Sequence, residues 1–268
     1  MKTRTILHQM TLVLVASALT FFSGCSAPES TSSQQEVRVI TSGGFTAAYK
    51  ILVPQFERET KIKVLTAYGP SMGDAPEAIP NRLARGEPAD VVILASESLK
   101  KLIQDGKVVP GSEVDLGRSR IGMVVKAGKP KPDISSVEAL KQTLLEARSI
   151  AYSGSASGVY LSTVLFPRLG IAEMIKHKCK QIKVERVGAV VARGEAEIGF
   201  QQISELLPIS GVDFVGPLPQ KAQKETFFSA GIVVGAKESK LAKEMLRFFS
   251  SSAAAPIIKE TGLEPVTQ

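Results

Sequence analysis

Short β-branched runs alternate with helix-patterned segments along most of this chain, and that alternation constrains its fold more than any other feature. Residues 37–40, Val-Arg-Val-Ile, read as a strand. Ser42-Gly43-Gly44 follows as a turn, and a helix is expected from residue 46 to about 59. Residues 63–68 read as a second strand, and 76–85 carry a helical pattern with Gly86 as its stop. Residues 89–96 form a near-continuous apolar run, as in a strand buried on both faces of a parallel sheet. Residues 98–105 then read as a helix closed by Gly106. This order of strands and helices predicts an α/β layered domain.

A second unit begins at Ser119, with a strand at 121–126 and a helix at 136–147 capped by Ser135 or Ser136. A short strand at 150–152 leads into a hydroxyl-rich turn, 153–158, and a helix at 159–169. Further strands are expected at 182–184, 196–202, 212–215 and 226–236, and helices at 188–193, 239–249 and 253–260. Ile203-Ser204-Glu205-Leu206-Leu207 lies just beyond the strand that ends at Gln202.

Three junctions share one design. Ser42-Gly43-Gly44, Ser71-Met72-Gly73 and Ser155-Ala156-Ser157-Gly158 each follow a strand and precede a helix. A helix N-terminus presents free backbone N–H groups and the positive end of the helix dipole. In α/β sheets, ligands collect beyond the carboxyl ends of the strands. Three such junctions with serine hydroxyls would make a cage for a small multivalent anion.

Other chemistries lack their residues. There is no phosphate-binding Gly-x-x-x-x-Gly-Lys loop, no Gly-x-Gly-x-x-Gly and no Gly-x-Ser-x-Gly elbow. Scattered basic residues, 6% aromatics and no Trp do not suit nucleic acid. Lys2 and Arg4, the apolar run at 10–22 and Phe22-Ser23-Gly24-Cys25 read as a signal peptide over 1–24. Small residues before Cys25 resemble a bacterial lipobox, so Cys25 would carry a lipid, and 25–36 would be a flexible tether. The formal charge of +7 falls to +5 once Lys2 and Arg4 leave with the leader. His177 is then the one histidine, in a Lys-rich surface stretch, and Cys179 a lone bystander thiol, so no zinc ligand set exists.

Four segments give the pattern a family likeness. They are Val39-Ile40-Thr41-Ser42-Gly43-Gly44, the run from Leu83 through Gly86-Glu87-Pro88-Ala89-Asp90 to Val91, Ser155-Ala156-Ser157-Gly158-Val159-Tyr160, and the run from Val190 through Arg193-Gly194-Glu195-Ala196-Glu197 to Gly199. Over roughly 37–263 the chain resembles the type II periplasmic solute-binding proteins of ABC importers, the molybdate-binding proteins in particular. The resemblance implies two α/β lobes, 37–118 plus 227–268 and 119–226, with a ligand cleft between them that closes by a hinge. It also implies a periplasmic location, a small anionic ligand, an ABC permease as partner, no cofactor, no metal and no nucleic acid. Membrane attachment would come only through Cys25.

Carried over residue by residue, the cage falls on Ser42, Ser71, Ser157 and the backbone of 184–187. Gly43, Gly44, Met72, Gly158, Arg186, Gln201 and Gln202 complete the candidate set. Gln202 stands where molybdate binders carry Tyr, two glycines follow Ser42, and the loop from Ser71 to Pro80 is longer. These departures favour a di- or tricarboxylate over molybdate, with Arg82, Arg118 or Arg186 as carboxylate partners. The same group resembles aconitate isomerase, which gives the alternative reading: an allylic proton shift interconverting cis- and trans-aconitate. Such a shift needs one positioned acid/base, for which Tyr160, Glu205 and Tyr68 are candidates by their nearness to the junctions.

Overall fold

The computed structural model describes residues 35–266. The expected leader, Cys25 and the tether up to residue 34 lie outside the described residues. Among the described residues, no helix is long and apolar enough to cross a membrane.

The first strand, β1 (Glu36–Thr41), leads into helix α1 (Gly43–Thr60) and then β2 (Lys63–Tyr68), α2 (Ile79–Ala84), β3 (Val91–Ala95) and α3 (Ser96–Gln104). β1 pairs in parallel with both β2 and β3. All five side chains of β3 are buried, for the reason its sequence suggested: helices cover both faces of the strand. Val91 and Ile93 join a core with α1, while Val92 and Leu94 join another with α2 and α3. α1 ends where Lys61 turns left-handed and its N–H reaches Glu57 O at 3.0 Å.

β4 (Val114–Ser119) ends one residue before β5 (Ile121–Lys126), yet the two strands belong to different sheets. The second sheet adds β6 (Ile150–Ser153), β7 (Cys179–Ile182), β8 (Ile198–Gln202) and β9 (Val212–Pro217). Its helices are α4 (Val137–Glu146), α5 (Ala156–Tyr160), α6 (Phe166–Arg168), α7 (Ala172–Ile175), α8 (Val187–Ala192) and α9 (Ile203–Leu206). A π turn, Leu161–Leu165, joins α5 to α6 just before Pro167, which removes a backbone donor and crowds the preceding turn. The chain then returns through 218–225 to β10 (Thr226–Ile232) in the first sheet, followed by α10 (Ser239–Phe249), α11 (Ala255–Glu260) and β11 (Glu264–Pro265). The result is two α/β lobes joined by two crossings. Gln223 ties the crossings together, accepting from Ile121 N at 2.8 Å and donating to Ile121 O at 2.9 Å.

Several elements depart from the sequence expectation. α1 begins at Gly43, three residues early, so the two glycines form its first turn instead of a separate loop. α2 begins only at Ile79, because Ala78 and Ile79 give their N–H groups to Ala75 and Pro70 in an intervening turn. β4 had no clear signal: Val-Asp-Leu-Gly-Arg-Ser is short of branched residues. β7 lies earlier than 182–184, and Val184 is 95% exposed.

Helix α10 is bound to α1 by aromatic packing. Phe249 is fully buried, with its ring 5.8 Å from Tyr49, 6.2 Å from Phe45 and 6.4 Å from Phe56. Edge and tilted geometries of this kind add to the area each ring buries. Phe249→Ala is therefore expected to lower stability by about 3–5 kcal/mol. Urea unfolding should show a reduced midpoint; a loss below about 1 kcal/mol would mean that α10 does not anchor the first lobe.

Candidate ligand-binding site

The carboxyl ends of β1, β2, β6, β7 and β8 face a common cavity of about 360 Å³ between the lobes. One wall comes from the first lobe: the first turn of α1 with Lys50 two turns on, the segment Tyr68–Ser71, and Phe228. The other comes from the second lobe: Ser153–Ser157, Ile182–Arg186, Gln201, Gln202 and Glu205. This position beyond the strand ends is where open α/β sheets gather ligands. The volume lies at the small end of the range for ligand pockets, roughly 300–1,000 Å³.

The polar lining has hydrogen-bonding capacity to spare. Ser71 Oγ accepts from Ala95 N at 2.9 Å, so its own hydroxyl proton remains for a ligand. Ser157 Oγ and Ser153 Oγ share a proton at 3.1 Å. Gln202 Nε2 donates to Thr226 Oγ1 at 3.0 Å, but Gln202 Oε1 is buried without a partner, as is Ser42 Oγ. Buried polar atoms are nearly always paired, so an orphaned amide end on a cavity wall is a place for a ligand group. Whichever way the amide is turned, one end of it stays free. α1 adds its own donors, because the first N–H groups of a helix have no intrahelical acceptor and Ser42 caps none of them through its side chain.

Cations surround the cavity. Lys50 sits over the Tyr68 ring, 5.9 Å from its centroid. Lys183 Nζ lies 2.8 Å from Asp74 Oδ2, an ion pair that links the second lobe to the loop after β2 in the first. That lysine's hydrogen bond holds the Asp74 carboxyl below its usual range. Arg186 Nη1 donates to the Glu205 carbonyl at 3.2 Å.

Three carboxylate residues, Glu77, Glu185 and Glu205, also line the cavity. Burial raises the Glu205 pKa from its ordinary 4.5 to about 7, while the Arg186 charge and a hydrogen bond from Gln201 Nε2 at 3.0 Å pull it back. Glu205 keeps partial access to the cavity, where it meets Gly43 of α1 across the cleft. Ser204 pins that approach by donating to Gly44 O at 2.7 Å.

Of the residues expected from sequence, Gly43, Gly44, Ser71, Ser157, Arg186, Gln201, Gln202, Glu205 and Tyr68 line the cavity. Ser42, Met72 and Gly158 do not line it. Ser71 does not head a helix, since α2 starts eight residues later, so its contribution is a hydroxyl without a dipole. Tyr160 is turned away: it is buried and its hydroxyl donates to Ala222 O at 3.0 Å. Arg82 pairs with Glu87 and Arg118 with Glu225 and Glu264, all outside the cavity. His177 is exposed, and burial pushes the Cys179 thiol up to about 11; neither lines the cavity. Lys50, Thr46 and Lys183 escaped the sequence reading. Gly43, Thr46 and Lys50 follow helical spacing, a signal available once α1 starts at Gly43.

Known proteins share this architecture. The family described as bacterial extracellular solute-binding protein matches residues 37–264. An aconitate isomerase of Pseudomonas sp is 50% identical over 228 residues, 85% of this chain and 87% of that protein. The molybdate-binding protein ModA of Azotobacter vinelandii is 26% identical over 235 residues, 85% of this chain and 89% of its own. Among solved structures, the Azotobacter vinelandii periplasmic molybdate-binding protein superposes with a TM-score of 0.69 at 21% identity, covering 87% of this chain and all of that one. The sulfate-binding protein SubI of Mycobacterium tuberculosis H37Rv gives 0.70 at 17% identity, with 87% of each chain covered. The fold is that of the type II periplasmic binding proteins, and the chain belongs to the bacterial extracellular solute-binding protein family.

Proposed function

We propose that this protein is an exported isomerase of a small tricarboxylate that interconverts cis- and trans-aconitate by an allylic proton shift, with Glu205 carrying the proton. The observation that carries this reading is the Glu205 carboxyl itself, partly buried in the cavity wall among Lys50, Lys183 and Arg186, where desolvation raises its pKa to about 7. A site built only to hold an anion gains nothing from a second negative group in its wall. A site that must remove and return a proton needs a group of that kind at that pKa. The likeness to an aconitate isomerase over most of both chains supports the same reading.

The step balances without a cofactor. Glu205 as carboxylate takes a proton from the ligand's methylene carbon. The C–H electron pair forms a new double bond to the central carbon as the old π pair shifts to the former vinyl carbon and its carboxylate, and the resulting dienolate spreads its charge over the neighbouring carboxylates. Glu205, now protonated and exchanging that proton with solvent through the cavity, delivers a proton to the former vinyl carbon, so the double bond moves by one position and the net charge is unchanged. Lys50, Lys183, Arg186 and the first N–H groups of α1 are placed to hold the three carboxylates and the charge that develops between them. The leader expected at residues 1–24 and the family description support export.

A second reading, a receptor that binds the same acid unchanged, is favoured by the family's description. Proton NMR of trans-aconitate with catalytic protein in D₂O separates the two. Isomerisation predicts cis-aconitate carrying deuterium; stoichiometric binding with no exchange would overturn it. Glu205→Gln should slow exchange by roughly 10²–10⁴-fold while still binding trans-aconitate in calorimetry.

The pH profile has a defined sign. Because the carboxylate form begins the reaction, kcat/KM should rise as pH rises through about 7. A profile that is flat from pH 5 to 8 would exclude Glu205 as the base.

Stability moves the other way. With its folded pKa raised from 4.5 to about 7, Glu205 holds more proton in the native than in the unfolded state between those values, so its contribution falls as pH rises. The melting temperature of Glu205→Gln relative to the parent protein should therefore be higher at pH 8 than at pH 5. An equal difference at the two pH values would contradict the raised pKa.

A further inference from the structure

Glu205 does not hold its carboxyl in place alone. A methyl group added at Gly43 would sit 2.0 Å from Glu205 Oε1 and 2.9 Å from its Cδ, well inside contact distance. Nothing about the backbone demands glycine there: Gly43 is the first residue of an α-helix and is not among the residues with positive φ. Alanine would suit a helix better than glycine, by about 1 kcal/mol in a helix interior. The glycine is accounted for by the carboxyl that fills its missing side chain.

The same oxygen is held from the other side. Gln201 Nε2 donates to Glu205 Oε1 at 3.0 Å, and the orientation of that amide is fixed because Gln201 Oε1 accepts Val187 N–H at 2.9 Å. The backbone of Glu205 is tied by Arg186 at 3.2 Å, and its neighbour Ser204 by Gly44 O at 2.7 Å. The side chain therefore has little freedom to retreat from a bulkier residue 43. Among the described residues no protein donor engages Oε2, and it is not one of the buried orphaned atoms, so it remains open to the cavity.

We infer that Gly43 and Gln201 are positioning residues that lock Glu205 Oε1 between them and leave Oε2 as the atom that takes and returns the ligand proton. This rests on the isomerase reading above. The first lobe supplies Gly43 and the second supplies Gln201 and Glu205, so the proton-transfer group is correctly aimed only when the α1 N-terminus meets the β8–α9 turn. Proton transfer and lobe closure are thereby linked through one oxygen atom.

A double-mutant cycle on trans-aconitate exchange tests this. Gly43→Ala should lower kcat by about 100-fold, the cost of misplacing a reacting group by about 1 Å, with KM little changed. Glu205→Asp withdraws the carboxyl by one methylene, so the double variant should be no slower than Glu205→Asp alone. Full kcat in Gly43→Ala, or penalties that multiply in the double variant, would overturn the inference. If Gly43→Ala does not fold, Gln201→Met carries the test. Loss of the donor should move the rise of kcat/KM to higher pH, and an unmoved profile overturns the role of Gln201. If the parent protein exchanges no ligand proton, the isomerase reading falls by itself. The positioning claim is then read from the ¹³C titration of the Glu205 carboxyl: a displaced curve in Gly43→Ala supports it and an unchanged curve overturns it.

Discussion

A carboxyl group held inside a cage for anions is the interaction on which the rest of this site depends. Burial alone would keep Glu205 protonated, and full hydration would leave it an ordinary carboxylate at 4.5. The charge of Arg186 and the Gln201 amide offset part of the burial, and the balance falls near 7. At that point both protonation states are accessible at neutral pH, which is what a group that alternately removes and returns a proton requires. Arg186, the cation that tempers Glu205, also lines the space where a polycarboxylate would sit, as do Lys50 and Lys183.

The topology delivers this balance from distant parts of the chain. β8 ends at Gln202 and α9 starts at Ile203, so Gln201, Gln202 and Glu205 are presented within a single strand-to-helix turn. β1 and α1 present Gly43 and Gly44 in the same way from the other lobe. The chain passes between the sheets at Arg120 and again through 218–225, so two crossings connect the lobes. Ser204 with Gly44, and Lys183 with Asp74, are polar contacts that join the lobes beside the cavity.

Much of this was legible from residues alone. The alternation of branched runs and helical patterns announced two α/β layers, and the apolar run around Val91–Ala95 announced a strand covered on both faces. The strand-to-helix junctions and the family's site carried over residue by residue drew attention to Ser71, Ser157 and the Gln201-Gln202 pair, all of which reach the cavity. What stayed hidden depended on contacts distant in sequence. Gly43 and Gly44 read as a turn because glycine usually marks one; Glu205 and Phe228, distant in sequence, fill the space that side chains at these positions would take. Lys183 read as part of a strand, because its role follows from where β7 ends. Tyr160 looked well placed by sequence, yet its hydroxyl is engaged by Ala222 O away from the ligand. Glu205 was a candidate only by its nearness to a junction; its raised pKa came into view with its surroundings and Arg186.

The measurement that tests the central claim most directly is a crystal structure of the Glu205→Gln protein with trans-aconitate bound. The account predicts the ligand's methylene carbon about 3–3.5 Å from a terminal atom of residue 205, on the side away from Gly43, with its carboxylates toward Lys50, Lys183 and Arg186. A pose with a ligand carboxylate against residue 205 and both reacting carbons turned toward Ser157 would contradict it, and would make Glu205 part of a receptor's binding wall.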